Sequence, residues 1–228
     1  APSFLNRLQG NFSASPYGIE SLVNFDNFPM DIRNSVLEKS SIDYIYFSST
    51  SKLFLEHCEE TADYLIQKLC LNSNSLVLEI ASNDGSQLQS FKKRGVEVLG
   101  VDPAQNIAEV ANKNGIPTLP EFFNFDFAKK LKEEKFIQAD LIFGANVLAH
   151  VPKIVDFIKG VKIILKPKGT AVFEFPYVKG LTENKFDIIY HEHVFYYSLL
   201  ALRNLFKNAN LEIYDADIYA VLQNCPNV

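Results

Sequence analysis

The sequence predicts a doubly wound α/β fold on a mainly parallel, seven-stranded sheet, and three observations support this. Short apolar runs alternate with segments of helical period through most of the chain, as strand–helix–strand crossovers require. Glycines stand where helices must stop, at Gly95 and Gly115. Acids stand near the end of the first run, at Glu79, in the turn after it, at Asp84, and at the end of the second, at Asp102, where an open parallel sheet collects its ligands. The 228 residues suffice for one large core, and 47% hydrophobic against 21% charged residues is an ordinary globular balance.

Residues 1–43 have no clean period, and "GNFSASPYG" reads as loop. Residues 1–50 are expected to be an N-terminal arm or partial lid, and 51–228 the ligand-binding domain. From Lys52 to Leu69, Leu53, Phe54, Cys58, Ala62, Leu65, Ile66 and Leu69 recur at helical spacing. His57 falls within that helix and reads as a surface or helix-flank histidine. "SLVLEIA" (75–81) is a buried strand and "GSQLQSFKKRG" a helix closed by Gly95. "VEVLGVD" (96–102) is the second strand, "AQNIAEVANKNG" the second helix of this series, and "IPTLP" a short third strand. "ADLIFGANVL" (139–148) is the fourth, followed by a helix over 153–165 that "KPKG" stops. "TAVFEFP" (170–176) is the fifth, and "SLLALRNLFKNA" is helical. "LEIYDADIYAVL" is expected to make two closing strands around a tight turn at 215–217.

Net charge of −5 disfavours nucleic acid as a general partner. No apolar run is long enough to span a bilayer and no secretory leader is recognised, so a cytoplasmic protein without a membrane partner is expected. Cys58, Cys70 and Cys225 are few and scattered, which argues against a disulfide framework or a cysteine zinc site.

The turn after the first strand, "EIASNDGS", bears on the cofactor. A dinucleotide would want G-x-G-x-x-G, so that backbone can close on a pyrophosphate. Here Gly85 stands alone, and Asp84 would repel a phosphate. A ligand with no phosphate and a positive sulfonium, S-adenosylmethionine (SAM), suits the turn better. Asp102 ends the second strand, where an acid accepts hydrogen bonds from both ribose hydroxyls; the plainer alternative is a cap on the helix starting near Ala104. "FGAN" (143–146) ends the fourth strand with small residues that would admit a cofactor, and Phe122 and Phe123 are candidates to flank the adenine, with two core phenylalanines as the alternative reading. The expected cofactor-binding set is Glu79, Ala81, Asn83, Asp84, Gly85, Asp102, Pro103, Phe123, Ala145 and Asn146.

"FDIIYHEHVFYYSL" (186–199) holds two of the four histidines. On an extended segment His191 and His193 point to one side, compatible with metal, and His150 could supply a third ligand. An acid–base role asks for less: a histidine titrating near neutrality, an orienting partner and a dry pocket. Tyr190, Glu192 and His150 are candidate partners, and Phe195, Tyr196 and Tyr197 could exclude water. A polar loop of satisfied hydrogen bonds is the third reading.

Together "EIASNDGS", "LGVDPAQNIA", "GIPTLPEFF", "ANVLAHVPKIVDFIKGV" and "FDIIYHEHVFYYSL" resemble the SAM-dependent deoxysugar C-methyltransferases. The resemblance runs from "YIYFSSTSKLFLEHC" to "LEIYDADI" and implies the Rossmann-like, class I methyltransferase fold. It further implies methylation of a nucleotide-linked 4-keto-6-deoxyhexose, commonly at C3, with a dTDP-, GDP- or CDP-linked sugar as partner. The family's tyrosine–x–glutamate–histidine motif falls on Tyr190, Glu192 and His193, and a further active-site histidine on His150. On this resemblance His193 is the base, Tyr190, Glu192 and His150 bind or polarise the sugar, and Tyr44 or Tyr46 reaches it. S-adenosylhomocysteine is the expected product, no metal is needed, and a monomer or homodimer is expected. The family's N-terminal zinc module and C-terminal domain are expected to be missing. Competing readings are a small-molecule O- or N-methyltransferase, a non-catalytic SAM-binding domain and a metal-dependent enzyme.

Overall fold

The computed structural model describes residues 47–182 and 193–216. The first helix, α1 (Lys52–Leu69), starts where the Ser51 side chain accepts the Phe54 N–H and ends with Cys70 in the left-handed region. It buries Cys58, Ala62 and Leu65, spaced by four and three along one helical face. Leu53, expected on the apolar stripe, is 78% exposed. Five residues at about 100° each carry it roughly 140° around the axis from Cys58, off the buried face.

Crossovers then follow in order: β1 (Leu76–Ile80), α2 (Ser86–Lys93), β2 (Glu97–Val101), α3 (Gln105–Lys113) and β3 (Thr118–Leu119). They continue as α4 (Phe125–Lys135), β4 (Ala139–Ala145), α5 (Ile154–Ile164), β5 (Leu165–Glu174), the short α6 (Lys179–Thr182) and α7 (Leu199–Asn208). The sheet runs β3-β2-β1-β4-β5, and every pairing in it is parallel. The chain order reverses beside β1, so the carboxyl ends of β1 and β4 border the crevice where such sheets bind ligands.

Alternation along the strands builds a core on each face. Val77, Leu141 and Phe143 pack with Ala62 and Leu65 of α1 and Leu88 and Phe91 of α2. Leu78 and Ile142 pack on the other face with Leu131 of α4, Phe157 and Val161 of α5, and Leu202 of α7. Helices on both faces explain why the strands read as nearly continuous apolar runs.

Three expectations need correction. The described residues hold five strands, where seven were expected. Residues 211–216 form no ladder. Leu211 and Ile213 pack on the core, Tyr214 Oη lies 3.2 Å from Thr170 Oγ1, and Asp215 pairs with Lys68, so side chains anchor this segment. The rest of the expected closing pair lies outside the described residues. Helix α4 was not expected from the sequence, since only Ala128 and Leu131 along it are buried; its start is marked by Asn124, whose side chain accepts the Phe127 N–H at 2.8 Å. Strand β5 begins at Leu165 rather than 170, because the chain pairs Leu165 with Ala139 and then shifts register before Thr170 pairs with Leu141.

Gly100 shows how tightly the middle of the sheet is filled. A Cβ there would lie 2.5 Å from Ser82 Oγ and 2.6 Å from Thr118 Oγ1. Gly100→Ala is therefore expected to cost about 1–3 kcal/mol of folding stability, read as a lowered midpoint in thermal or urea unfolding.

Candidate active site

The turn after β1 carries three left-handed residues, Ala81 (φ 59°), Asn83 (φ 48°) and Gly85 (φ 80°). Such a conformation costs a non-glycine residue roughly 1–2 kcal/mol, so the surroundings must impose it. The N–H groups of Ala81 (2.8 Å) and Ser82 (3.3 Å) both donate to the Val101 carbonyl, and Gly85 N–H closes on Ser82 O at 3.0 Å. At Gly85 a Cβ would also meet Ile116 Cγ2 at 2.9 Å, so glycine is required there by both backbone and space.

Asp102 holds this turn from the next strand. Its Oδ2 accepts the Asn83 N–H at 2.9 Å and its Oδ1 the Ala104 N–H at 3.0 Å. It is buried rather than a solvent-exposed helix cap: it holds the N–H of Ala104, the residue just ahead of α3, while pinning the β1 turn. Burial raises its pKa from the usual carboxylate value, and those two N–H groups oppose the rise. Glu79 is buried further in. Burial first, and then the negative charges of Asp102, Asp84 and Glu174, push it well above the usual range, while the Leu88 N–H opposes them. Glu79 Oε2 and Ser82 Oγ are buried with no hydrogen-bond partner among the described residues.

The segment ahead of α1 is stitched onto the same turn. Ser48 N–H donates to Asn83 Oδ1 and Ser49 N–H to Asp84 Oδ2, both at 3.0 Å. Ser86 Oγ donates to Asp84 Oδ1 at 2.6 Å. Farther along α1, His57 Nε2 lies 3.2 and 3.1 Å from the two carboxylate oxygens of Glu174 at the end of β5. The sequence reading missed this pair. Glu174 is an acid near the end of its expected strand (170–176), which was the available signal; its partner lies 117 positions away and only folding reveals it.

The end of β4 supplies Ala145 and Asn146. Asn146 is exposed and left-handed (φ 54°), with its N–H on Glu174 O at 2.7 Å. At Gly144 a Cβ would strike Val147 Cγ1 at 2.8 Å and Phe173 at 3.0 Å, so the core requires a small residue there. Phe123 is half-buried, edge-on to Phe157 at 5.4 Å and Phe127 at 6.5 Å, while Phe122 is 44% exposed. Pro103 is half-buried beside Asp102.

Beyond β4 a 3₁₀ turn (Leu148–His150) meets the chain returning before α7. Val194 N–H (2.7 Å) and Phe195 N–H (3.3 Å) both donate to Ala149 O. This brings the His150 and His193 rings to 4.9 Å, edge to face. His193 is buried against Tyr196 at 5.7 Å, and Tyr196 and Tyr197 are themselves buried. Burial, then the neighbouring His193, lowers the His150 pKa from 6.5 to about 4, so at neutral pH it is an uncharged donor–acceptor. Tyr190, His191, Glu192, Tyr44 and Tyr46 lie outside the described residues. Among the described residues no group of three or more His, Cys, Asp or Glu is placed to hold a metal ion, and no helix is long and apolar enough to cross a membrane.

Residues 54–216 match the family described as "Methyltransferase domain". The chain belongs to that family. The methyltransferase is 36% identical over 180 residues to the "C-methyltransferase NovU" of Streptomyces niveus, covering 77% of this chain and 43% of that protein. It is 28% identical over 123 residues to the "Ubiquinone biosynthesis O-methyltransferase" of Pasteurella multocida, covering 48% of this chain and 50% of that one. The chain therefore spans half or less of the length of these relatives. The fold is that of a SAM-dependent methyltransferase from Archaeoglobus fulgidus, at a TM-score of 0.54 and 16% identity over 67% of this chain and 68% of that one. The methyltransferase thus has the Rossmann-like, class I architecture, and its cofactor is SAM. Its residues suit that cofactor: a carboxylate at the β2 edge for ribose hydroxyls, and further acids where a sulfonium and an ammonium are welcome and a phosphate is not.

Asp102→Ala is expected to weaken SAM binding about tenfold to a hundredfold in calorimetric titration, with NADH giving no heat for either protein. His150 should leave a mark on stability. Its folded-state pKa is depressed, so between pH 6.5 and about 4 the unfolded chain binds a proton that the folded chain does not, and stability falls as pH falls. Unfolding titrations of wild type and His150→Gln should diverge across that window, by at most about 3 kcal/mol. The comparison isolates His150, because the raised pKa of Glu79 acts with the opposite sign in acid.

Proposed function

We propose that this methyltransferase places its methyl group on carbon, at C3 of a nucleotide-linked 4-keto-6-deoxyhexose. The observation that carries this reading is the edge-to-face pairing of the buried His193 with a half-buried, uncharged His150 beyond the carboxyl end of β4. Similarity to NovU, a C-methyltransferase, supports transfer to carbon.

A hydrogen on the carbon beside a ketone is acidic enough for a positioned base. His193, in its neutral form, takes that proton and leaves an enolate whose carbon is the nucleophile. His150, uncharged at neutral pH, offers hydrogen-bonding capacity to an acceptor oxygen without placing a second cation beside the base. Tyr190 and Glu192 join them in binding and polarising the sugar. Tyr196 and Tyr197, both buried, keep water from the imidazole. Ala81, Asn83, Gly85, Asp102, Pro103, Phe123, Ala145 and Asn146 line the cofactor side, with Glu79 and Asp84 beneath. SAM, when bound, supplies a sulfonium-activated methyl group to the nucleophile.

His193→Ala is expected to slow methylation roughly 10²- to 10⁴-fold while SAM affinity stays within twofold. The same variant should lose exchange of the acceptor's α-hydrogen with deuterated solvent. Product bearing the methyl on oxygen, with no exchange in wild type, would replace this reading with O-methylation, the activity named for the Pasteurella relative.

A further inference from the structure

The His57–Glu174 pair has no part in the chemistry above, and its surroundings point to a ligand. Glu79 stands beside Phe143 in register, and Glu174 beside Ala145. Strand alternation therefore puts both carboxylates on one sheet face, on either side of β4, beneath the N-terminal half of α1. Cys58 of α1 is buried there, and its thiol is pushed up to about 12, by burial first and then by Glu79 and Glu174. Glu79 is 4% exposed, and its Oε2 has no hydrogen-bond partner among the described residues. A buried acid with an oxygen left over and a half-buried acid on the same sheet face, with β4 between them, make a seat for a cation with N–H groups to donate.

SAM carries such a cation, the α-ammonium of its amino-acid end. Asp102, at the β2 edge, is the expected partner of the ribose. From β2 to β5 is three strand spacings, about 14 Å. Eight bonds separate a ribose hydroxyl oxygen from the amino nitrogen, which at roughly 1.2 Å per bond extends to about 10 Å. A hydrogen bond of about 3 Å at each end brings the reach to about 16 Å, enough to cross the gap with the tail partly folded.

We propose that Glu174, oriented by His57, receives the α-ammonium of SAM opposite Glu79 Oε2, so that this end of the site recognises the cofactor's amino-acid tail. Glu174 is the binding residue and His57 a positioning residue: its Nε2 reaches both carboxylate oxygens and fixes where they point. The inference rests on SAM as cofactor and does not depend on the acceptor.

Two neutral ligands isolate the tail. S-adenosylhomocysteine has it, and 5′-methylthioadenosine keeps the adenosine and sulfur without it. In calorimetry on the full chain, wild type should bind the former at least about tenfold more tightly. Glu174→Gln should lower S-adenosylhomocysteine affinity about tenfold to a hundredfold and leave 5′-methylthioadenosine within twofold. His57→Ala should shift the same ratio less, and His57→Gln, which restores an N–H donor, should recover part of the loss. A parallel fall for both ligands would mean that the pair only supports the fold, and the proposal fails. Unchanged affinity for both would remove Glu174 from the site. Wild-type protein that binds neither ligand would overturn the cofactor reading itself, a result distinct from either of these.

Discussion

One buried carboxylate ties the sheet to its ligand edge. Asp102 uses one oxygen on the Asn83 N–H and the other on the Ala104 N–H, joining the turn after β1 to the start of α3. Asn83 is left-handed, and its own side-chain oxygen accepts the N–H groups of Asp84 and Ser48. The chain ahead of α1 thereby takes its position from β2, through two hydrogen bonds and one strained residue. Burial raises the pKa of Asp102, and the N–H donors counter it.

The electrostatics of this edge are one-sided. Glu79, Asp84, Asp102 and Glu174 lie close enough that three of them raise the pKa of the fourth. Such crowding is unfavourable unless something positive arrives, and at this depth the attraction is far stronger than in water. SAM arrives with a net positive charge, whereas its demethylated product is neutral. Carboxylates attract a cation more strongly than a neutral ligand of similar shape. The histidine side is built on the opposite principle. His150 is half-buried beside the buried His193; loss of solvent first, and then repulsion from a neighbouring imidazolium, keeps His150 neutral.

Much of this could be read in the sequence because its signals are local. Helix α1 was expected over Lys52–Leu69 and is found there, since eighteen residues of amphipathic period lie between Ser51 as a cap and a left-handed Cys70. The acids at the strand ends and the return of His193 to His150 followed from strands that alternate with crossovers. Helix α4 was less legible, because packing against α5 asks only for Ala128 and Leu131 and leaves a faint apolar period. At Gly144 the packing of Val147 and Phe173 was not legible, because a small residue beside a ligand and one beside two core side chains look alike in one dimension.

The sequence by itself determined the first five strands in order, most of the helices between them, their parallel topology and the acids at the strand ends, since periodicity, caps and strand-end acids act within a few residues. Tertiary structure alone decided which distant groups meet. Ser48 binds Asn83 across thirty-five positions, and His57 binds Glu174 across 117. It also decided which carboxylates are buried, and hence that Glu79 holds its proton more firmly than an exposed acid does. Those outcomes depend on distance and desolvation, which exist only once the two faces of the sheet are covered.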